Sequence, residues 1–318
     1  MCLMAFALHT QPELGLLLAA NRDEALDRPT LPLHRWHTPA GTAVWAGRDV
    51  REGGTWLGSS LGGRVGLLTN VRDPASVASQ AGHAQPFPRS RGELVTRWLD
   101  TTASEPDARQ ATQRFTQWLQ PRALDYGGFN LVLGDVAQGH WVWLNNRPDT
   151  VWPKLPTQWQ RAAHQSHGHL LAATLPPGVY GLSNAGLDTA WPKTLALREA
   201  LQQHLAAAPE GAPRPPTPDS PLWAALANPH VYPDDQLPHT GVPWAWERAL
   251  SAAWVDMPSH TAGYGTRSSL LMQLQRQAGH WHAHLLERTW RPAPQAGWAS
   301  AQWHFDGSAA AQTTNQER

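Results

Sequence analysis

The stretch CLMAFALHTQPELGLLLAANRDE, residues 2–24, decides the fold. Residues 2–8 are an apolar run, and residues 15–20 are a second one after the turn-forming Thr10-Gln11-Pro12. Short apolar runs bounded by turn residues read as strands, and together these two read as a hairpin. Further strand candidates, each bounded by Gly, Pro, Asp or Asn, lie at 43–46, 55–59, 64–68, 129–133, 141–144, 179–182, 268–274 and 283–290. Helical periodicity predicts a helix at 92–99, with Leu94, Val95, Trp98 and Leu99 on one stripe, and a second at 107–119, together an αα-hairpin. A third, 193–208, has Pro192 at its first position, Asp188 or Thr189 as its expected cap, and Leu195, Leu197, Leu201 and Leu205 along it. A short fourth helix is expected at 222–226. Strands, then helices, then strands indicate a sheet-rich α+β protein with helices covering the sheets. A four-layer α/β/β/α sandwich is one such solution, which periodicity alone does not select.

The chain reads as one domain, 1–306, with a Pro-rich surface excursion at 209–221 and a tail, 307–318, expected to be disordered because it has almost nothing apolar to bury. The composition is 41% hydrophobic and 16% charged, which suits a globular body with a sizeable core. Its 25 basic residues balance its 25 acidic ones, so no long-range field draws it to nucleic acid or an anionic membrane. The longest apolar run near the start, 14–20, is too short for a membrane span or a secretory core, which makes a cytoplasmic location the default expectation. The single cysteine excludes an internal disulfide framework and any Cys-cluster metal site.

That cysteine is residue 2. Its small side chain makes Met1 removable, and removal leaves Cys2 with a free α-amine. An α-amine titrates at roughly 7.7–8.0 and a thiol at roughly 8.5, close enough for the amine to act as base toward its own sulfur. A cysteine on a strand is also often a small buried hydrophobe, so position alone does not make it a nucleophile.

The ordered blocks along the chain carry more. They are Leu18-Ala19-Ala20-Asn21-Arg22-Asp23-Glu24 with Arg28-Pro29, Gly53-Gly54-Thr55-Trp56-Leu57-Gly58, Leu68-Thr69-Asn70, Arg91-Gly92-Glu93-Leu94 and Gly128-Phe129-Asn130-Leu131. Later come Tyr180-Gly181-Leu182-Ser183-Asn184-Ala185, Trp191-Pro192-Lys193 and Gly263-Tyr264-Gly265-Thr266-Arg267-Ser268. The series, in this order over roughly residues 1–292, resembles the NRDE family, the relatives of Transport and Golgi organisation protein 2. The Met-Cys start is similar to that of the N-terminal-nucleophile (Ntn) amidases, which include penicillin V acylase, bile-salt hydrolase and acid ceramidase.

The resemblance implies the four-layer sandwich, and it implies site roles. The nucleophile falls on Cys2, the strand arginine on Arg22, its acidic partner on Asp23, the oxyanion asparagines on Asn70 and Asn184, and a late arginine on Arg267. Asn21, Glu24, Trp56 and Tyr264 are the candidates for substrate contacts. In one respect the chain departs from the amidases, where the arginine and acid stand three residues apart; Arg22 and Asp23 are adjacent. Neighbours on a strand point to opposite faces, so Arg22/Asp23, Asn21/Asp23 and Arg22/Glu24 remain rival pairs. The charged block also reads as a solvated strand end, the asparagines as turn-closers and Arg267 as a flanking charge.

Of the 16 histidines, His280, His282 and His284 alternate and would share a strand face, a spacing that can bind metal. With no carboxylate or fourth ligand in view, a solvated face is the expectation, and no metal is assigned. His34 and His37 flank Trp36 in what reads as a Pro-rich loop. Most of the 18 tryptophans should pack, and a subset could line a cleft for an acyl chain or a flat ring. Gly53-Gly54 and Gly62-Gly63 read as hairpin turns and not as a phosphate loop.

Two functions follow from the resemblance. One is hydrolysis of an amide or thioester in a small acylated substrate, with no cofactor required. The other is binding or trafficking of haem, acyl-CoA or lipid without catalysis.

Overall fold

The computed structural model describes residues 2–73, 87–166, 169–208, 215–258, 263–291 and 296–306. The opening hairpin is present: β1 (Cys2–Gln11) pairs antiparallel with β2 (Leu14–Ala25). The first half of the chain continues through β3 (Thr30–His37), β4 (Ala43–Asp49), β5 (Leu57–Ser60), β6 (Arg64–Asn70), β7 (Phe129–Asp135) and β8 (His140–Asn145). Then come β9 (His164–Ser166), β10 (Leu170–Thr174), β11 (Gly178–Leu182), β12 (Asp256–Met257), β13 (Tyr264–Gln277), β14 (His280–Thr289) and β15 (Gly297–Phe305). They form two antiparallel sheets. The first runs β11-β1-β2-β13-β14-β15, with β12 on β13, and the second runs β3-β4-β5-β6-β7-β8-β10-β9.

Helices close both outer faces. Helices α1 (Gly92–Ser104) and α2 (Ala108–Leu119) pack on the second sheet, against β5–β6 and β7–β8. On the first sheet, α3 (Pro192–Ala206) covers β1 and β11, and α4 (Leu222–Leu226) covers β2. Short helical turns occur at Pro148–Val151, Thr157–Ala162 and Trp244–Ala249. The result is the expected α/β/β/α sandwich. Three apolar cores follow from it: one between the sheets, one under α1–α2 and one under α3–α4. Among the described residues no helix is long and apolar enough to cross a membrane.

The strand alternation of the opening hairpin sorts its residues between two of these cores. Met4, Phe6, Leu8, Leu16, Leu18 and Ala20 face the other sheet, while Leu3, Ala5, Ala7, Leu17 and Ala19 face the helices. Both faces are therefore apolar, which a strand buried on two sides requires.

Several expectations need correction. Residues 30–37 are strand β3 and not a loop; Pro32 sits at a register shift between Leu31 and His34, where a missing N–H is tolerated. There His34 stacks on Trp36, with ring centroids 6.4 Å apart. Strands β9, β10 and β15 were not anticipated. Asp188 does not cap α3, whose N-cap is Trp191 without a side-chain bond. Its carboxylate instead accepts from the Gly181 N–H at 2.8 Å and the Trp159 indole at 2.9 Å. Gly63 has φ +85° in the β5–β6 turn, where a Cβ would lie 2.3 Å from the Phe305 ring. Residues 209–214 and the tail 307–318 lie outside the described residues, and 215–221 is coil and turn.

Candidate active site

Extending the β1 alternation by one step puts Cys2 on the face between the sheets, at their open end. Its strand partner is Arg22, and directly opposed residues of an antiparallel pair project to the same side. Glu24, two residues on, shares that side. The pair that faces Cys2 is therefore Arg22/Glu24. The guanidinium of Arg22 lies 4.0 Å over the Trp56 ring, donates to Thr30 Oγ1 at 3.3 Å and comes within 3.8 Å of Glu24.

Asn21 points the other way. Its amide donates to the carbonyls of Leu226 and Ala253, both at 2.8 Å, and its Oδ1 accepts from Ser269 Oγ. It fastens the sheet to the layer beyond and does not reach the cavity. Asp23 edges the cavity from the rung beyond Cys2↔Arg22, where its Oδ1 accepts from Thr266 Oγ1 at 2.7 Å and its carbonyl accepts from Tyr264 Oη at 2.9 Å.

A cavity of about 420 Å³ opens over Cys2. Trp56, Asn70 and Tyr264 line it, as the sequence analysis proposed. Its rim carries Arg28, Asp49 and Arg51 from the β2–β3 and β4–β5 connections, with Ser90, Arg91 and Gly92 from the start of α1. Arg28, Arg91 and Gly92 stand in the ordered blocks without a site role, and Asp49, Arg51 and Ser90 stand in none; they are far apart in the chain and only the fold gathers them. Gly54 makes the approach possible: a Cβ there would sit 2.5 Å from the Gly92 carbonyl carbon.

Electrostatics follow from burial and neighbours. Burial pushes the Cys2 thiol up, and the carboxylates of Asp23 and Glu24 add to that while Arg22 works against it. For Glu24 burial also acts upward, but Arg22, the Ala25 N–H and Arg28 overcome it and hold the carboxyl below its ordinary value. Arg91 is lowered by burial, with Glu24, Asp73 and the Cys2 thiol opposing.

Asn184 comes close by a different route. The β1–β11 register ends at Met4↔Leu182, and Asn184 follows two residues later, buried and outside the cavity lining. Ser183 Oγ donates to the Cys2 carbonyl at 3.1 Å, which fixes that approach. The Asn184 amide donates to the Asn70 carbonyl at 2.8 Å, so the two asparagines hold each other. A buried network supports them: Asn130 donates to the Ala185 carbonyl at 2.6 Å and to Thr69 Oγ1 at 3.0 Å, and Thr69 donates to the Ser183 carbonyl at 2.6 Å. Asn145 and Trp143 in turn donate to Asn130 Oδ1. Asn130 of the Gly128-Phe129-Asn130-Leu131 block is thus a buried amide whose donors and acceptor are all engaged, by Thr69, Ala185, Trp143 and Asn145 among others.

Arg267 is not in the cavity lining. It sits at the bulge between Thr266 and Ser268, and its guanidinium donates to the carbonyls of Ala25 and Arg28. It ties down the turn after β2. Behind Asp23, on the helical side, lies an ionic group that sequence reading missed: Arg72 pairs with Glu247 at 2.9 Å, and Lys193 donates to the Leu250 carbonyl at 2.8 Å. All three are buried. Lys193 belongs to the Trp191-Pro192-Lys193 block, where it reads only as a helix residue.

Among the described residues no group of three or more His, Cys, Asp or Glu is placed to hold a metal. His282 faces His304 across β14–β15 at 6.1 Å between rings, and His280 Nδ1 lies 2.5 Å from Asp306 Oδ1, a carboxylate the sequence reading did not identify.

The chain is 31% identical over 200 residues to the mouse Transport and Golgi organization 2 homolog, covering 61% of this chain and 60% of the mouse one. With the human homolog it shares 27% over 322 residues, 96% of this chain and 99% of the human one. With the Drosophila melanogaster protein it shares 28% over 306 residues, 91% and 92% of the two chains. Among solved structures it is similar to a Caenorhabditis elegans N-acylethanolamine-hydrolyzing acid amidase ortholog, with TM-score 0.44, 10% identity and 85% and 92% of the two chains covered. It is also similar to the conjugated bile acid hydrolase of Clostridium perfringens, with TM-score 0.38, 9% identity and 98% and 100% covered. The family model described as Transport and Golgi organisation 2 matches residues 1–292, and the chain belongs to that family.

Proposed function

We propose that the protein is an N-terminal-cysteine hydrolase of an amide or thioester bond in a small acylated substrate, active once Met1 is removed. The observation that carries this reading is the Cys2↔Arg22 rung on the floor of an open, polar cavity, with Asn70 on its wall and Asn184 tied to Asn70. A cysteine there merely as packing would need neither the cavity nor the opposed guanidinium.

The thiol proton passes to the α-amine of Cys2 as Sγ bonds to the acyl carbon. The carbonyl electron pair moves onto oxygen, and neutral amide donors such as Asn70 and Asn184 face that oxyanion. The ammonium then protonates the leaving amine or thiol as its bond to carbon breaks, which leaves an acyl-thioester on Cys2. Water attacks this thioester, gives one proton to the amine and releases the acid. The amine finally returns its proton to sulfur. Burial raises the thiol, so the base is needed, and Arg22 offsets part of that cost to the thiolate. Asp23, whose carboxylate edges the same cavity, favours the ammonium form.

Haem fits this cavity poorly. Among the described lining residues there is no histidine or methionine, so Cys2 and Tyr264 are the groups that could ligate iron; the Tyr264 hydroxyl already donates to the Asp23 carbonyl, and four guanidinium groups and three carboxylates share the walls. Carriage of an acyl thioester without turnover uses the same contacts, and it is separated from hydrolysis by experiment. Intact mass of the purified chain reads Met1 removal, and an activated aryl acetate reads the nucleophile. The expected outcome is a transient acetyl adduct on Cys2 with steady release of acetate, lost by a factor on the order of 10³ or more in Cys2→Ala and in protein that retains Met1. An adduct that never turns over means carriage; no adduct on folded, Met1-free protein removes the proposal.

A further inference from the structure

We propose that the wall of the cavity formed by Arg51, Arg91 and the start of α1 is a subsite for an anionic group of the substrate, a carboxylate or a phosphate. This deepens the hydrolase reading and rests on it for the identity of the reacting end.

The argument is one of charge pairing. Four guanidinium groups and three carboxylates line the cavity. Arg28 takes Asp49 in a two-nitrogen contact, at 2.6 and 3.0 Å. Arg22 takes Glu24, and Asp23 is held by Thr266. The carboxylates of the lining are thereby engaged. Arg91 donates to the Gly128 carbonyl at 3.0 Å, and no carboxylate within ion-pair distance of it occurs among the described residues; the same is true of Arg51. A cation without a carboxylate partner in a concave site lowers the energy of an anion there; Arg91 is half-buried, where screening by water is weaker, and Arg51 is exposed at the mouth.

The helix adds to the same spot. Of the lining residues, Arg91 is the N-cap and Gly92 the first residue of a 13-residue helix whose N-cap makes no side-chain bond, and Ser90 directly precedes them. The Glu93 and Leu94 N–H groups are taken by the carbonyls of Ser90 and Arg91, so the helix contributes its dipole, and guanidinium supplies planar, two-point contact. The Gly54–Gly92 contact keeps that turn against the β4–β5 loop that carries Arg51, so the two cations are held on one wall. The acyl bond meets Cys2 on the floor and the anionic group meets this wall.

The single cysteine permits a clean test. Cys2 is alkylated in Met1-free protein with iodoacetate, which is anionic, and with iodoacetamide, which is neutral. Thiol burial affects both reagents alike and cancels in the ratio of rates. The expected ratio exceeds that of a short cysteine peptide by about threefold or more, and it falls to the peptide value in Arg51→Gln and Arg91→Gln and at high salt. In parallel, inorganic phosphate and acetate at matched ionic strength are compared for their effect on the thermal midpoint of Cys2→Ala. A gain with one of them, lost in Cys2→Ala/Arg51→Gln, supports the subsite without using the sulfur and tells which anion chemistry fits. A peptide-like ratio, together with no midpoint gain from either anion, overturns the subsite and leaves the nucleophile reading standing. Anion binding by a chain whose sulfur ignores both reagents keeps the subsite and removes the nucleophile.

Discussion

On one side of strand β2, Arg22 and Glu24 look into a cavity. On the other, one residue away along the chain, Asn21 reaches through the sheet to the carbonyls of Leu226 and Ala253, and Asp23 binds Thr266. Four consecutive polar residues thus serve two purposes, divided by the two-residue period of a strand. The lesson is that an ordered motif is not a site until its alternation is read: Arg22 and Glu24 belong to the cavity, Asn21 to the scaffold, and Asp23, which edges the cavity while bound to Thr266, to both.

The strongest way to break that division is to exchange the effects of its two halves. Asn21→Ala strands two buried carbonyls and the Ser269 hydroxyl, for an expected loss of about 4 kcal/mol in urea unfolding, while Cys2 alkylation of the protein that remains folded stays within about twofold. Arg22→Gln should do the reverse: it slows acylation by roughly tenfold as the thiol loses its opposed cation, at a smaller cost in stability. If Asn21→Ala slows acylation more than Arg22→Gln, the assignment of faces is wrong.

A second consequence concerns the helix side, where Lys193 lies buried. Burial lowers its pKa to about 8, with Asp23 opposing and Arg72 adding to the fall. The unfolded chain keeps that proton up to roughly 10.4, so between these values the unfolded state binds more protons and stability rises with pH. Below about pH 8 both states are charged and the contribution is flat. The stability of wild type relative to Lys193→Met is expected to rise by about 3 kcal/mol from pH 8 to 10.5, read from urea midpoints. A flat difference would mean the ammonium is well solvated by its partners.

Much of the fold was legible. Apolar runs with turn residues at their ends marked the central strands, because a strand buried on both faces leaves little choice of residue. The strands that escaped notice lie toward the sheet edges. In β3, Pro32 and two histidines break the apolar pattern, and only Leu33 and Trp36 are buried; in β15 only Ala301 and Phe305 are. A half-solvated edge strand gives a weak signal. In the site, the residues named from motifs on β1, β2 and β6 lie together because the hairpin register brings them there. Asp49, Arg51 and Ser90 carry no local pattern that distinguishes a rim from any other loop, and the blocks that hold Arg28 and Arg91 do not say that these two meet. Three-dimensional closure of the β2–β3 and β4–β5 connections over α1 makes the rim, and sequence spacing does not encode it.

Arg267 supplies the finest test, because the resemblance gave it a role in the site and its contacts give it another. Its guanidinium donates to Ala25 and Arg28 carbonyls, and it lies outside the lining of the main cavity. Burial, with Arg22 next, lowers its pKa to about 10, so it stays cationic at neutral pH and cannot exchange protons with the thiol. Lysine keeps the charge but loses the planar two-carbonyl contact. Arg267→Lys should therefore lose about 1 kcal/mol of stability, with an unchanged alkylation rate and an unchanged iodoacetate preference. Loss of the preference with stability intact would show that the two-carbonyl geometry of the guanidinium, which lysine does not reproduce, sets the field at Cys2. The turn after β2, which Arg267 holds, would then be part of the cavity's electrostatics and not only of its scaffold.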